Sequence, residues 1–382
     1  MRFIITIKVV VIFIFLGSEI SLSQSIDLLG QLSGWIIVNN NALNQAQLGI
    51  RYIPGLFLEK FISDNHGFDI ELSLNMYRSG QFRSLSTFES AGKIKPYRLW
   101  LRYARSQFEV RFGLQKINFG SATQLRPLMW FDRIDPRDPL QLTDGVYGLL
   151  FRYYFLNNAN IWLWGLYGNE DTKGWEIIPS DDKSIEYGGR IQYPLWTGEI
   201  ALTFHYRRMD LRKGLFVMIP IGNETLPENR FGLDGKWDVG VGLWFEGVLI
   251  HQKTDLLPIN YQKLLNVGLD YTFGLGNGLY ISGEHLIIEA SDRPFESGET
   301  TKLSAIALTY PFGLLDQVMG ILYYAWKSHD PYRFLSWKRT YDKWSLYVIG
   351  FWNPDRNLLY QHQAENNYFM GKGVQILVVF NH

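Results

Sequence analysis

Arginine and aspartate interleave in the stretch GSATQLRPLMWFDRIDPRDPLQLTDG, which carries Arg126, Asp132, Arg133, Asp135, Arg137 and Asp138. Side chains of opposite sign at this spacing handle charged or dipolar solutes by electrostatic contact, not by making bonds. More charges recur on alternate residues elsewhere. Arg98, Arg102, Arg111, Arg152, Arg190 and Arg207 are opposed mainly by Glu109 and Glu199. Further along, Asp234, Glu246, Asp270 and Glu284 stand with Arg230 and Lys236, while Asp69 and Glu71 come earlier. A basic wall facing acidic walls would set up a transverse field that orients an anionic or dipolar solute. The plainer alternative is that these charges solvate an interior and pair across neighbouring strands.

The parts for covalent chemistry are missing. A hydrolase needs a Ser/His/acid set at one place. His205, His251, His285 and His362 are present, but no Gly-x-Ser-x-Gly elbow accompanies them. Glu284 and His285 are neighbours on a strand pattern and so face opposite sides. GLGNGLYISGEHL is glycine-rich, but no helix follows it to hold a phosphate. The absence of cysteine removes disulfides and thiolate metal sites. No catalytic, cofactor or metal site is expected, and the chain does not read as an enzyme.

The elements that must position the charges are strands. In FEVRFGLQK, Phe108, Val110, Phe112 and Leu114 share one parity, and Glu109, Arg111, Gly113 and Gln115 the other. Period-2 alternation gives a strand with two unlike faces. Similar segments recur from Leu28 to the terminal GKGVQILVVF, about 18 in all, and no amphipathic helix is available to cover them. Short Gly-, Asn- and Asp-containing turns alternate with long loops near 79–93, 120–143, 170–183, 209–228, 252–262, 290–300, 327–331 and 354–368. The connection at 54–66 breaks the alternation. The pattern predicts an all-β, transmembrane, antiparallel up-and-down barrel of about 18 strands, with apolar parity to lipid and polar parity to a lumen. Tyr97, Tyr103, Tyr147, Tyr153, Tyr193, Tyr206, Trp237, Tyr310 and Trp344 sit at strand ends and are expected in interfacial girdles. A soluble sandwich would need a second layer.

Export is read from the N-terminus. MRFIITIKVVVIFIFLGSEISLSQ has Arg2 and Lys8, then the apolar run Val9 to Leu16, then Ser21 and Ser23 before Gln24. This predicts a cleaved signal peptide over 1–23 and a barrel over 24–382. About 8 uninterrupted apolar residues are too few to span about 30 Å as a helix. The zero net charge gives no field for nucleic acid. In the loop at 120–145, Leu125, Leu128, Met129, Trp130 and Phe131 would form a large exposed patch if they pointed outward. Infolding would bury them and bring the Arg/Asp cluster into the pore. A lid over the outer rim, or a partner-binding surface, is the alternative.

FGLQKINFG followed by DPRDP, then RFGLDGKWDVGVGLWFEG, and the terminal GKGVQI resemble the alginate-export and related porin-like outer-membrane barrels. The resemblance implies an 18-strand barrel with an arginine-rich lumen and infolded loops. The family's Gly-Arg-Gln start stands here as Gly113-Leu114-Gln115. The mixed charges also depart from a strongly basic polyanion conduit, so alginate is not carried over as a substrate. The expectation is a bacterial outer-membrane channel for passive passage of small, anionic or carbohydrate-type solutes. Its partners would be outer-membrane lipid and lipopolysaccharide, the barrel-assembly machinery during insertion, and small solutes or oligosaccharides. A structural, adhesin or secretion-partner barrel with a mostly closed lumen is the alternative.

Overall fold

The computed structural model describes residues 24–40, 46–63, 65–84, 87–213, 225–252, 260–294, 296–355 and 369–382. The signal-peptide reading over 1–23 lies outside the described residues. In chain order the strands are β1 (Gln24–Asn39), β2 (Ala46–Ser63), β3 (His66–Ser84), β4 (Thr87–Arg105), β5 (Phe108–Gln115) and β6 (Val146–Tyr154). Then come β7 (Asn160–Leu166), β8 (Glu186–Leu195), β9 (Gly198–Asp210), β10 (Thr225–Asp238), β11 (Gly242–Gln252) and β12 (Tyr261–Phe273). The last six are β13 (Leu279–Ser291), β14 (Glu299–Pro311), β15 (Asp316–Ala325), β16 (Asp330–Thr340), β17 (Trp344–Trp352) and β18 (Lys372–Asn381). Every strand pairs antiparallel with its sequence neighbours, and β1 closes on β18 from Gln31↔Asn381 to Asn39↔Gly373. A closed barrel leaves no strand edge unpaired, the condition for placing sheet in hydrocarbon. No helix among the described residues is long and apolar enough to cross a membrane.

Two expected loops are strand. Residues 54–63 continue β2 through Pro54, and β3 already begins at His66. The break at 54–66 therefore goes, and the short–long alternation fails instead between β3 and β4. Most of 79–93 belongs to β3 and β4, which pair onward to Ser84↔Thr87. Both segments lack a clean apolar parity, which hid them from a period-2 reading. A bilayer crossing needs about 9–11 residues. At 16 to 19 residues, β1–β4 extend well past that length.

The outer parity is apolar, as the alternation requires. On β18, Val374, Ile376 and Val378 are exposed while Leu377 and Val379 point inward and are buried. Exposed rings gather at two levels. Tyr193, Trp196, Phe273, Phe312 and Trp344 lie at the short-turn end, and Tyr147, Tyr167, Tyr187, Trp326 and Trp352 towards the long loops. Amphipathic rings favour these depths at a membrane interface. Tyr97 is the exception among the expected girdle residues. The β3–β4 register shifts beside it, pairing Ser73 with Arg98 and Leu74 with Pro96, and Tyr97 turns into an internal cavity.

Candidate functional site

The interior has two arcs. From β13 to β18 the inward side chains are largely apolar, among them Leu286, Leu303, Ile321, Tyr323, Phe334, Phe351 and Leu377. From β3 to β10 they are largely charged. Into this space fold residues 116–145, which carry no helix or strand. Leu125, Leu128, Met129, Trp130 and Phe131 are all buried and join one apolar cluster with Val248, Leu264, Leu286 and Leu303 of the wall. Burying such side chains is worth about 1.5–3 kcal/mol each against exposure, so the loop's apolar run explains its infolding.

Two carboxylates fasten the loop. Glu284 on β13 accepts the backbone N–H of Thr123 (2.7 Å), Gln124 (3.1 Å) and Leu125 (2.6 Å), the Thr123 hydroxyl (3.0 Å) and the Asn266 amide (3.2 Å). Glu246 on β11 accepts the N–H of Ala122 (2.7 Å) and Leu128 (3.2 Å). Asn266 also donates to the Leu125 carbonyl at 2.7 Å, and the Tyr323 hydroxyl donates to Gln124 Oε1 at 2.9 Å. Gly120 is required at the entry: its φ is +94°, and a Cβ there would lie 2.4 Å from Glu246 Oε1. The segment 167–185 buttresses the loop. Gly174 N donates to the Asp132 carbonyl at 3.0 Å and Trp175 Nε1 to the Arg126 carbonyl at 2.8 Å.

The charges are largely paired at short range, the arrangement of the plainer alternative. Within the loop, Arg126 forks onto Asp132 (2.7 and 3.1 Å), and Arg137 pairs with Asp135 at 2.7 Å. Arg190 and Asp234 make a buried two-point pair at 2.6 and 2.7 Å. Arg207 is fully buried between Glu228 and Glu176, which also hold Arg230. Glu246 and Glu284 are the loop anchors. The Asp270 carboxylate accepts the Tyr280 hydroxyl at 3.3 Å.

Towards the short-turn end, Arg102 bonds Asp69 (2.6 Å) and Glu109 (3.3 Å), and Arg152 bonds Glu109 at 3.0 Å while lying 3.8 Å over Trp162. Arg111 is only loosely tied, 3.9 Å from Glu109 and 4.7 Å over Trp100. Arg98 donates to the carbonyls of Tyr97 and Thr143 and lies 4.0 Å over the Tyr97 ring.

Opposite the anchoring wall the loop leaves space. A cavity of about 270 Å³ lies between residues 133–144 and the wall of β1–β4 and β18. Arg51, Lys95 and Arg133 line it, with Asp135, Asp138 and Asp144 and the rings of Trp35, Tyr77 and Tyr97. Lys95 is paired with Asp144 at 2.6 Å, and Arg133 donates to the Thr172 hydroxyl at 3.0 Å. Burial pushes the Asp138 carboxyl above its ordinary range, with Asp135 adding to the effect; burial likewise lowers Lys116 at the loop's start.

Sequence reasoning missed Arg51, Lys95, Glu176, Lys173, Glu186 and Glu228. Lys173 and His205 both contact Glu186 at 3.2 Å. The signal for Arg51 was present: in QLGIRYI it shares parity with Gln47 and Gly49, opposite Leu48 and Ile50. Glu176 lay in a stretch read as loop, and Lys95 between the loop at 79–93 and the next strand, where parity says nothing.

The sequence matches no described family, and no curated protein matches it. Solved structures are similar in fold. OccAB4 of Acinetobacter baumannii is 9% identical, with 96% of this chain and 100% of that one covered and a TM-score of 0.57. OccK5 (OpdH) of Pseudomonas aeruginosa is 10% identical, covering 94% and 98%, with a TM-score of 0.54. The anion-selective porin of Comamonas acidovorans is 12% identical, covering 94% and 100%, with a TM-score of 0.50. The chain thus shares with outer-membrane porins the fold of a closed antiparallel barrel.

Proposed function

We propose that the protein is a porin-like channel of the bacterial outer membrane, passing small solutes, with a modest preference for anions, along the β1–β6 side of its lumen. The carrying observation is the asymmetric seat of the infolded loop. Glu246, Glu284 and Asn266 hold it to β11–β13, while the cavity lies against β1–β4, half-way round an 18-stranded ring. Arg51, Lys95 and Arg98 line that side, followed towards the short-turn end by Arg111 and Arg152. The same fold in an anion-selective porin supports such a role. Export through a leader at 1–23 belongs to the same reading. The motif resemblance to alginate-export barrels adds a carbohydrate-type solute to the candidates, without naming alginate. The depth to which two loops pack the lumen favours the second reading, a mostly closed structural barrel. Reconstitution of the full-length protein in planar bilayers separates them. Stepwise conductance with a reversal potential on the anion side supports the channel, and an insulating barrel refutes it.

A further inference from the structure

We infer that the cavity beside Arg51 is a solute-binding subsite for a small anion that also carries hydroxyl groups, an inference that rests on the channel reading above. Arg51 lies between two rings, its guanidinium carbon 5.4 Å from the centroids of both Trp35 and Tyr77. Its Nε, like those of Arg152 and Arg190, is buried without a partner, and the Asp138 carboxylate that feels its charge lies, like every carboxylate among the described residues, beyond ion-pair reach. This sets it apart from Arg102, Arg152, Arg190 and Arg207, each of which has an acid at 3.3 Å or closer. A guanidinium held by aromatic faces keeps its in-plane donors free for a planar anion.

Two neutral side chains in the same cavity make the anion's other requirement specific. Asn75 and Gln375 are 5% and 8% exposed, and the carbonyl oxygen of each amide is buried with no hydrogen-bond partner. Buried polar groups in folded proteins are nearly always paired, and each exception asks for an explanation. An amide offers both donors and an acceptor, which is the complement of a hydroxyl. The cavity volume, about 270 Å³, is many times the volume of about 10–15 Å³ that admits one water. A short polyhydroxylated acid fits this description: its carboxylate meets Arg51, its hydroxyls meet Asn75 and Gln375, and its C–H face lies on an aromatic ring.

The test is calorimetric titration of the full-length barrel in detergent micelles with gluconate, hexanoate and sorbitol. Gluconate carries charge and hydroxyls, hexanoate only charge, sorbitol only hydroxyls. Binding of gluconate alone is expected. Arg51→Gln should weaken it by about tenfold to a hundredfold, the range for a hydrogen bond to a charged group. Gln375→Leu, which leaves every charge in place, should weaken it several-fold. Circular dichroism and heat-modifiability establish that each variant is folded. Silence with gluconate, equal binding of hexanoate, or gluconate binding that Arg51→Gln leaves unchanged would overturn the inference. Because calorimetry does not require conduction, a barrel that binds gluconate but insulates a bilayer refutes the channel and leaves the subsite standing.

Discussion

Replacing Glu284 with Gln should release the front of the infolded loop. The carboxylate serves five donors, three on one oxygen and two on the other. An amide keeps one oxygen and turns an NH₂ towards the remaining donors. In the better orientation the Leu125 N–H and the Asn266 amide lose their acceptor. A buried donor left unpaired costs about 1–3 kcal/mol, so the seat loses about 2–6 kcal/mol, and water in a wet lumen holds this near the lower end. At about 1.4 kcal/mol per tenfold, a loss of about 3 kcal/mol raises the detached population about a hundredfold. Amide hydrogen exchange reads this directly, since exchange follows local opening. The N–H groups of Thr123, Gln124 and Leu125 should lose about two decades of protection. Those of Ala122 and Leu128, held by Glu246, should lose much less and serve as the internal control. Single-channel records should show flicker to a higher conductance. Unchanged protection at Thr123–Leu125 would refute the anchoring argument, whatever the conductance does.

Arg111→Glu should move the reversal potential towards cations, more so in dilute buffer. The loosely paired Arg111 faces the lumen, and screening sets in beyond about 8–10 Å at physiological salt. Arg190→Met strands the buried Asp234 carboxylate and should cost about 3–5 kcal/mol in denaturant stability, whereas Arg190→Met with Asp234→Leu should recover most of it. If the double variant is no better than the single one, the pair is not the coupled unit its geometry describes. Asp138→Asn should raise thermal stability at neutral pH and leave it unchanged in acid. Burial lifts the folded carboxyl above its unfolded value, so the folded state holds the proton longer and stability falls as pH rises from the ordinary carboxylate range through the folded one. Melting temperatures across that range, compared with the parent, check the sign.

Strand number and lipid-facing parity were legible because both depend on a period of 2 that lipid enforces residue by residue. The run 68–78 shows this, with Ile70, Leu72, Leu74 and Met76 on one parity. The rule weakens once a strand leaves the bilayer. Residues 54–63 and 79–93 then read as loop although the backbone continues pairing. Inside the barrel, parity identifies who points inward but not who meets whom. Arg190 and Asp234 lie 44 residues apart and fork together, and Glu284 reaches backbone 159 to 161 residues away. Such partners depend on loop closure, which leaves no local signature. The loop's fate was legible for a different reason: PLMWF could not stay in water, so only its destination was open. On the channel reading proposed above, its seat assigns the solute path by subtraction. Carboxylates on β11–β13 draw the backbone N–H groups of the loop's front to that wall, while Lys95 and Arg98 of β4 hold its end and a cavity remains between. There Arg51, whose parity was plain, has no acid within ion-pair reach among the described residues, which sequence alone did not show, and it is the residue proposed above to meet a solute.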